Sequence, residues 1–213
     1  MKKCLLLLTL IFLCGCTNIQ EARPQDLIKE IVSSKNYSYN EYRTGYKYYL
    51  PLSMSCLSSK KYNEILTDGN YKYYLYVDLV SYLKKNEFSY TVNENAYLSE
   101  TINYNNLNGY FEVNERNDKY LIEIMYNYAK IEVMVDYDDI NLAVLNAVTI
   151  LRDLEYNDMT IESIASNKSQ KFNDETYNIF NPKGNDNNYL DIIQNEDDTN
   201  AEENVEIDTD LVK

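Results

Sequence analysis

Between Tyr71 and Asp136 the apolar residues fall on alternate positions, and directly afterwards they recur every third or fourth. This switch of period constrains the fold more than any other feature of the chain, because a period of two is a strand and a period near 3.6 is a helix. Tyr73, Leu75, Val77, Leu79 and Leu83 share one face of an extended segment and Tyr74, Tyr76, Asp78 and Tyr82 the other, which predicts a half-buried strand. Residues 96–136 read as a meander. Its first turn is expected at Asn108-Gly109, since both residues tolerate positive φ, and its second at Asn117-Asp118. Tyr120, Ile122, Ile124, Tyr126, Ile131, Val133 and Val135 then line a core face, with Lys130, Glu132 and Asp136 pointing to solvent. Ile140, Ala143, Val144, Ala147, Val148 and Leu151 follow as one broad apolar helix face, with Asp138 or Asp139 as the cap. The class is α+β: an antiparallel meander sheet with this late helix packed on it.

Other segments are shorter. Asp26–Val32 has room for two helical turns after Pro24, and Tyr46–Leu50 reads as a strand stopped by Pro51. Ser59–Leu66 reads as a short helix closed by an Asp68-Gly69 turn, and Met159–Ile164 as a final strand or helical turn. A single domain over residues 26–166 results. Residues 167–213 are rich in Asn and acids and too poor in core-formers to offset the entropy of ordering, so a disordered acidic tail is expected. Tyr177–Phe180 and Tyr189–Ile193 are the two stretches in it that could dock as a strand or short helix. Of the formal charge of −14, −8 sits on residues 183–213, where ten acids face only Lys183 and Lys213. Such a balance repels phosphate backbones, and no basic stripe is present, so nucleic acid is not expected as a partner.

The composition also removes whole classes of chemistry. Without histidine, Ser/His/Asp and Cys/His catalysis and His-built zinc sites are excluded. No phosphate-binding glycine loop, dinucleotide fingerprint or nucleophile elbow occurs. Glu112, Glu115, Glu123 and Glu132, on neighbouring strands, are the carboxylates that could hydrolyse a glycosidic bond, although outward glutamates alternating with core residues are also what a one-sided sheet needs. Asp136-Tyr137-Asp138-Asp139 offers oxygens to a hard cation, or else caps the helix that follows. The 23 tyrosines either form a flat sugar- or wall-binding face or fill half-buried strand positions. No catalytic, metal or cofactor residue is assigned on these grounds.

At the amino terminus, Lys2 and Lys3 precede the apolar run Cys4–Leu13, the order of a secretory signal, and polarity begins at Thr17. Spanning a bilayer takes about 20 apolar residues, so the run is too short to cross. Leu13-Cys14-Gly15-Cys16 resembles the lipobox of bacterial lipoprotein precursors, Leu-x-Gly-Cys, with Cys14 where Ala, Ser or Thr is commoner. The resemblance implies a signal peptide over 1–15, acylation of Cys16, a lipidated tether over 16–25, and a body anchored to the cell membrane on its extracytoplasmic side. Two or more acyl chains, at about 0.8 kcal/mol per buried methylene, make a stable anchor. Cys4 and Cys14 then leave with the signal, and Cys56 is the one thiol of the body; it is expected to be buried or inert.

Gly45–Pro51 as an opening strand ended by proline, the central meander, and a helix closing at Leu151–Tyr156 together resemble the PsbP/DcrB-like family of extracytoplasmic domains over residues 43–157. That likeness implies a non-catalytic accessory or binding module. The first expectation is therefore a membrane-tethered interaction domain with a membrane or cell-wall protein as partner. The alternative is a carboxylate-dependent cell-wall hydrolase.

Overall fold

The structure, a computed structural model, describes residues 19–34 and 38–166. The signal segment, Cys16 and the tail 167–213 lie outside the described residues. The fold is α+β, as the change of period implies. Ten strands, β1 (Glu41–Arg43), β2 (Tyr46–Tyr48), β3 (Ser55–Lys60), β4 (Asn63–Thr67), β5 (Lys72–Val77), β6 (Leu98–Tyr104), β7 (Leu107–Arg116), β8 (Lys119–Tyr126), β9 (Ala129–Val135) and β10 (Glu155–Tyr156), form two antiparallel sheets. The larger has seven strands in the order β3-β4-β5-β9-β8-β7-β6, and the smaller runs β1-β2-β10. Four helices accompany them among the described residues: α1 (Pro24–Ser33), α2 (Leu79–Lys84), α3 (Ile140–Arg152) and α4 (Asp158–Ser166).

α3 packs on β8 and β9, and α1 packs on α3 and β6. Ile140, Val144, Val148, Ile150 and Leu151 are buried against Phe111, Val113, Ile122, Ile124, Ile131 and Val133 from the facing strands. Each such side chain contributes at most about 1.5–3 kcal/mol, so this layer dominates the stability. α1 starts without a side-chain cap but with Pro24 in its first turn, where the missing amide costs nothing. The domain also starts earlier than the periodicity implies. The Asn141 amide of α3 donates to the carbonyls of Ile19 (2.7 Å), Gln20 (3.3 Å) and Ala22 (2.8 Å), so part of the stretch expected as tether is seated on the helix.

Four local expectations are corrected. The strand from Tyr71 stops at Val77, because the Asp78 carboxylate accepts the Ser81 amide at 2.8 Å and starts α2. β5 is buried on both faces, not one. Residues 59–66 form the β3–β4 hairpin instead of a helix; Lys61 takes positive φ at its turn, and Glu64 and Leu66 alternate inward. The first meander turn lies at Asn105-Asn106, both at positive φ, and not at Asn108-Gly109. Gly109 serves the ladder: a Cβ there would lie 2.0 Å from the Met125 carbonyl oxygen of the next strand. The Asn117-Asp118 and Asp68-Gly69 turns stand where expected.

Gly109→Ala is predicted to cost about 3 kcal/mol or more, since strand backbone cannot retreat without breaking the β7–β8 ladder. Gly69→Ala meets nothing within 4 Å and adds only the strain of a Cβ at φ +96°, about 1–2 kcal/mol. Urea denaturation of the two variants, read by circular dichroism, measures the difference.

Candidate functional site

The carboxylates singled out for hydrolysis meet on the sheet face opposite α3. Antiparallel register sets Glu112 against Glu123 and Glu123 against Glu132, so one row crosses β7, β8 and β9 and continues to Tyr74 on β5 and Ser99 on β6. The expectation of a solvated outer face is overturned. Glu112, Glu123, Glu132 and Lys130 are all buried, as are Tyr74, Tyr76 and Tyr110 around them. Residues 85–97, between α2 and β6, cross this face, with the Phe88 ring 5.8 Å and the Tyr90 ring 4.6 Å from that of Tyr110. Glu115, at the far end of β7, stays exposed and apart from the row.

Burying charge is costly unless each charge is paired and hydrogen-bonded. Lys130 Nζ lies 2.6 Å from Glu123 Oε1 and 2.7 Å from Glu132 Oε1, with the three side chains only 0–3% exposed. Glu112 is held by hydrogen-bond donors instead: the Tyr90 hydroxyl, Asn93 Nδ2 at 3.0 Å and Asn114 Nδ2 at 2.8 Å. The Tyr110 hydroxyl has no hydrogen-bond partner in this cluster; burial, then the charges of Glu123, Glu132 and Glu112, hold it well above the usual phenol range. These groups hold one another. A general acid or base must be able to reach a substrate proton, and here the oxygens and nitrogens point into the row.

A second buried carboxylate fixes the small sheet to the large one. Glu64 Oε2 accepts from Arg43 Nε (2.9 Å) and Nη2 (2.6 Å) and from the Tyr48 hydroxyl (2.9 Å), while Oε1 accepts from the Tyr46 hydroxyl (2.8 Å). Cys56 Sγ lies 3.7 Å from the same Oε2. The thiol is half-buried, and burial and the Glu64 charge both raise its pKa. A raised pKa withholds the thiolate that nucleophilic attack requires.

Two of the three aspartates before α3 converge, on the hydroxyl of Tyr71. Tyr71 donates its hydroxyl to Asp139 Oδ2 at 2.6 Å and Asp136 Oδ2 at 3.0 Å, Lys119 Nζ is 3.6 Å from Asp136, and Asp138 is exposed. Asp139 occupies the N-cap position of α3 without a side-chain capping bond, and no group of three or more metal-type ligands occurs among the described residues. The tyrosines divide. Tyr46, Tyr48, Tyr73, Tyr74, Tyr76, Tyr110 and Tyr126 are buried in the domain, whereas Tyr42, Tyr97 and Tyr137 are exposed. A hollow of about 110 Å³, lined in part by Lys85, Glu87, Phe88 and Met125, opens beside the Asn105-Asn106 and Asn127-Tyr128 turns. Small-molecule sites usually run to several hundred Å³, and Glu87 is its one carboxylate.

Pattern reading placed these glutamates but missed their burial. The signal was available in Lys130-x-Glu132 and Glu123 on adjacent strands, a cation bracketed by two anions. What was missing was knowledge that residues 85–97 fold back across the face.

Lys130→Met is predicted to lower stability by about 3–5 kcal/mol at neutral pH, because it leaves two buried carboxylates without their cation. Adding Glu132→Gln should restore part of that loss, measured by urea denaturation; an additive double variant would show that the pair is not coupled. A second expectation concerns alkali. Burial and carboxylate partners push Tyr90 up to about 12, and burial does the same for Tyr126. A phenol whose folded pKa exceeds its unfolded value of about 10 contributes stability that is complete below that value and lost as pH rises through the folded one. Part of the tyrosinate absorbance should therefore appear only together with loss of circular dichroism, between about pH 10 and 12.

No family model, no curated protein and no solved structure matches this chain, so the likeness to PsbP/DcrB-like domains remains one of element order alone.

Proposed function

We propose that the chain is a lipoprotein acylated at Cys16, held on the extracytoplasmic face of the cell membrane, whose α+β body is a non-catalytic binding or interaction module. The observation that carries this reading is the sequence order at the start: a charged segment, a short apolar run, Leu13-Cys14-Gly15-Cys16, and then a body whose first described residue is Ile19. Such an order suits export followed by tethering. Among the described residues no helix is long and apolar enough to cross a membrane, and in this reading the acyl chains supply the attachment.

Support for binding over catalysis comes from the carboxylates. A wall hydrolase would need two acids facing a cleft at a separation suited to a sugar ring. Glu112, Glu123 and Glu132 are instead buried and engaged with Tyr90, Asn93, Asn114 and Lys130. The body also lacks an activated thiol, because Cys56 is biased to its protonated form.

Cells fed an alkynyl fatty acid should yield a labelled wild-type protein and an unlabelled Cys16→Ser variant that leaves the membrane fraction. Label that persists in the variant would refute acylation at Cys16. Purified wall incubated with the protein should release no soluble fragments, and release that depends on Glu115 would turn the reading toward hydrolysis.

A further inference from the structure

The two ends of the large sheet differ in a way that gives the tethered body an orientation. At one end are the Asn117-Asp118 turn, the start of β6 and the start of α3; at the other are the Asn105-Asn106 and Asn127-Tyr128 turns, α2 and α4. Ile19, the first described residue, lies at the first of these. Asn141, in the opening turn of α3 and itself buried, binds the carbonyls of Ile19, Gln20 and Ala22 through one side-chain amide. Only Thr17 and Asn18 separate Ile19 from Cys16. Three peptide links reach about 10 Å when fully extended, so an acyl anchor on Cys16 keeps this end within that distance of the lipid surface.

The same end carries a cluster of phenol rings. Tyr137, in the turn before α3, lies 5.7 Å from the ring of Tyr120 and 6.3 Å from that of Tyr97, and the Tyr97 and Tyr120 rings are 5.0 Å apart. Tyr137 and Tyr97 remain 59% and 45% exposed, and Leu142, in the first turn of α3, is exposed as well. Phenols with an apolar body and a polar tip are suited to the headgroup layer, where one side is wet and the other is not. Charge does not draw this end to a bilayer. Asp118, Asp136, Asp138 and Asp139 outnumber Arg116 and Lys119 there, so proximity has to come from the short leash, which acts as a high local concentration of surface.

We propose that the Tyr97–Tyr120–Tyr137 cluster rests on the bilayer surface as a second contact beside the acyl anchor. This rests on acylation of Cys16. The opposite end, with α2, α4 and the hollow beside Phe88, then faces away from the membrane and is the surface open to a wall or protein partner.

The chain has no tryptophan, so a single introduced one reports its own surroundings. The acylated full chain is reconstituted in phosphatidylglycerol–phosphatidylethanolamine vesicles containing brominated lipid, as Tyr137→Trp and as Met159→Trp, the latter on exposed α4 at the far end. Bromine should quench Tyr137→Trp by about two-fold and leave Met159→Trp unchanged, as expected for a ring at headgroup depth. Equal quenching of the two variants, or none in either, while mass spectrometry of the same sample shows the acyl mass on Cys16, would overturn the orientation and leave the lipoprotein reading intact. Absence of the acyl mass would overturn both.

Discussion

An antiparallel sheet covered on both faces has no solvent to receive the polar side chains that its alternation places there. That constraint governs this domain. One face meets it in the ordinary way, with branched aliphatic residues under α3. The other must accommodate Glu112, Glu123 and Glu132 in a single row, where like charges directly opposite one another repel. The row persists because Lys130 sits between the last two and because residues 85–97 bring Tyr90 and Asn93 to the first. The position of that crossing segment is therefore coupled to the charge state of the sheet beneath it.

A comparable arrangement joins the small sheet to the large one. Glu64 is a buried carboxylate surrounded by Arg43, Tyr46 and Tyr48, and it ties residues that are otherwise held by two short strand pairings. Buried ion pairs add little net stability compared with apolar packing, but breaking one is costly, so they favour one register over its alternatives.

Much of the scaffold was legible from periodicity. β7, β8, β9 and α3 are long enough for the pattern of apolar residues to define them, and the Asn117-Asp118 turn carries its own chemistry. Legibility failed where a polar residue faced inward or a helix was very short. Glu64 within Asn63–Thr67 disguised a strand as a helix, and Asp78 cut an apparent strand at Val77 by capping six residues of helix. The Asn-Gly signal was real as chemistry but served a close strand approach at Gly109, while Asn105-Asn106 made the turn. The outward reading of Glu123, Lys130 and Glu132 followed from assuming a one-sided sheet, and local sequence holds no direct sign of what lies across a face.

Many of the polar ties in this domain join a phenol to a carboxylate: Tyr46 and Tyr48 to Glu64, Tyr71 to Asp139, Tyr73 to Asp68, Tyr82 to Asp158, Tyr90 to Glu112. Burial and the carboxylate partners hold these phenols above their usual range, and the chain has no imidazole. The donor halves of these ties therefore keep their protons well past neutrality, and the framework they hold does not turn on the loss of a phenolic proton near neutral pH.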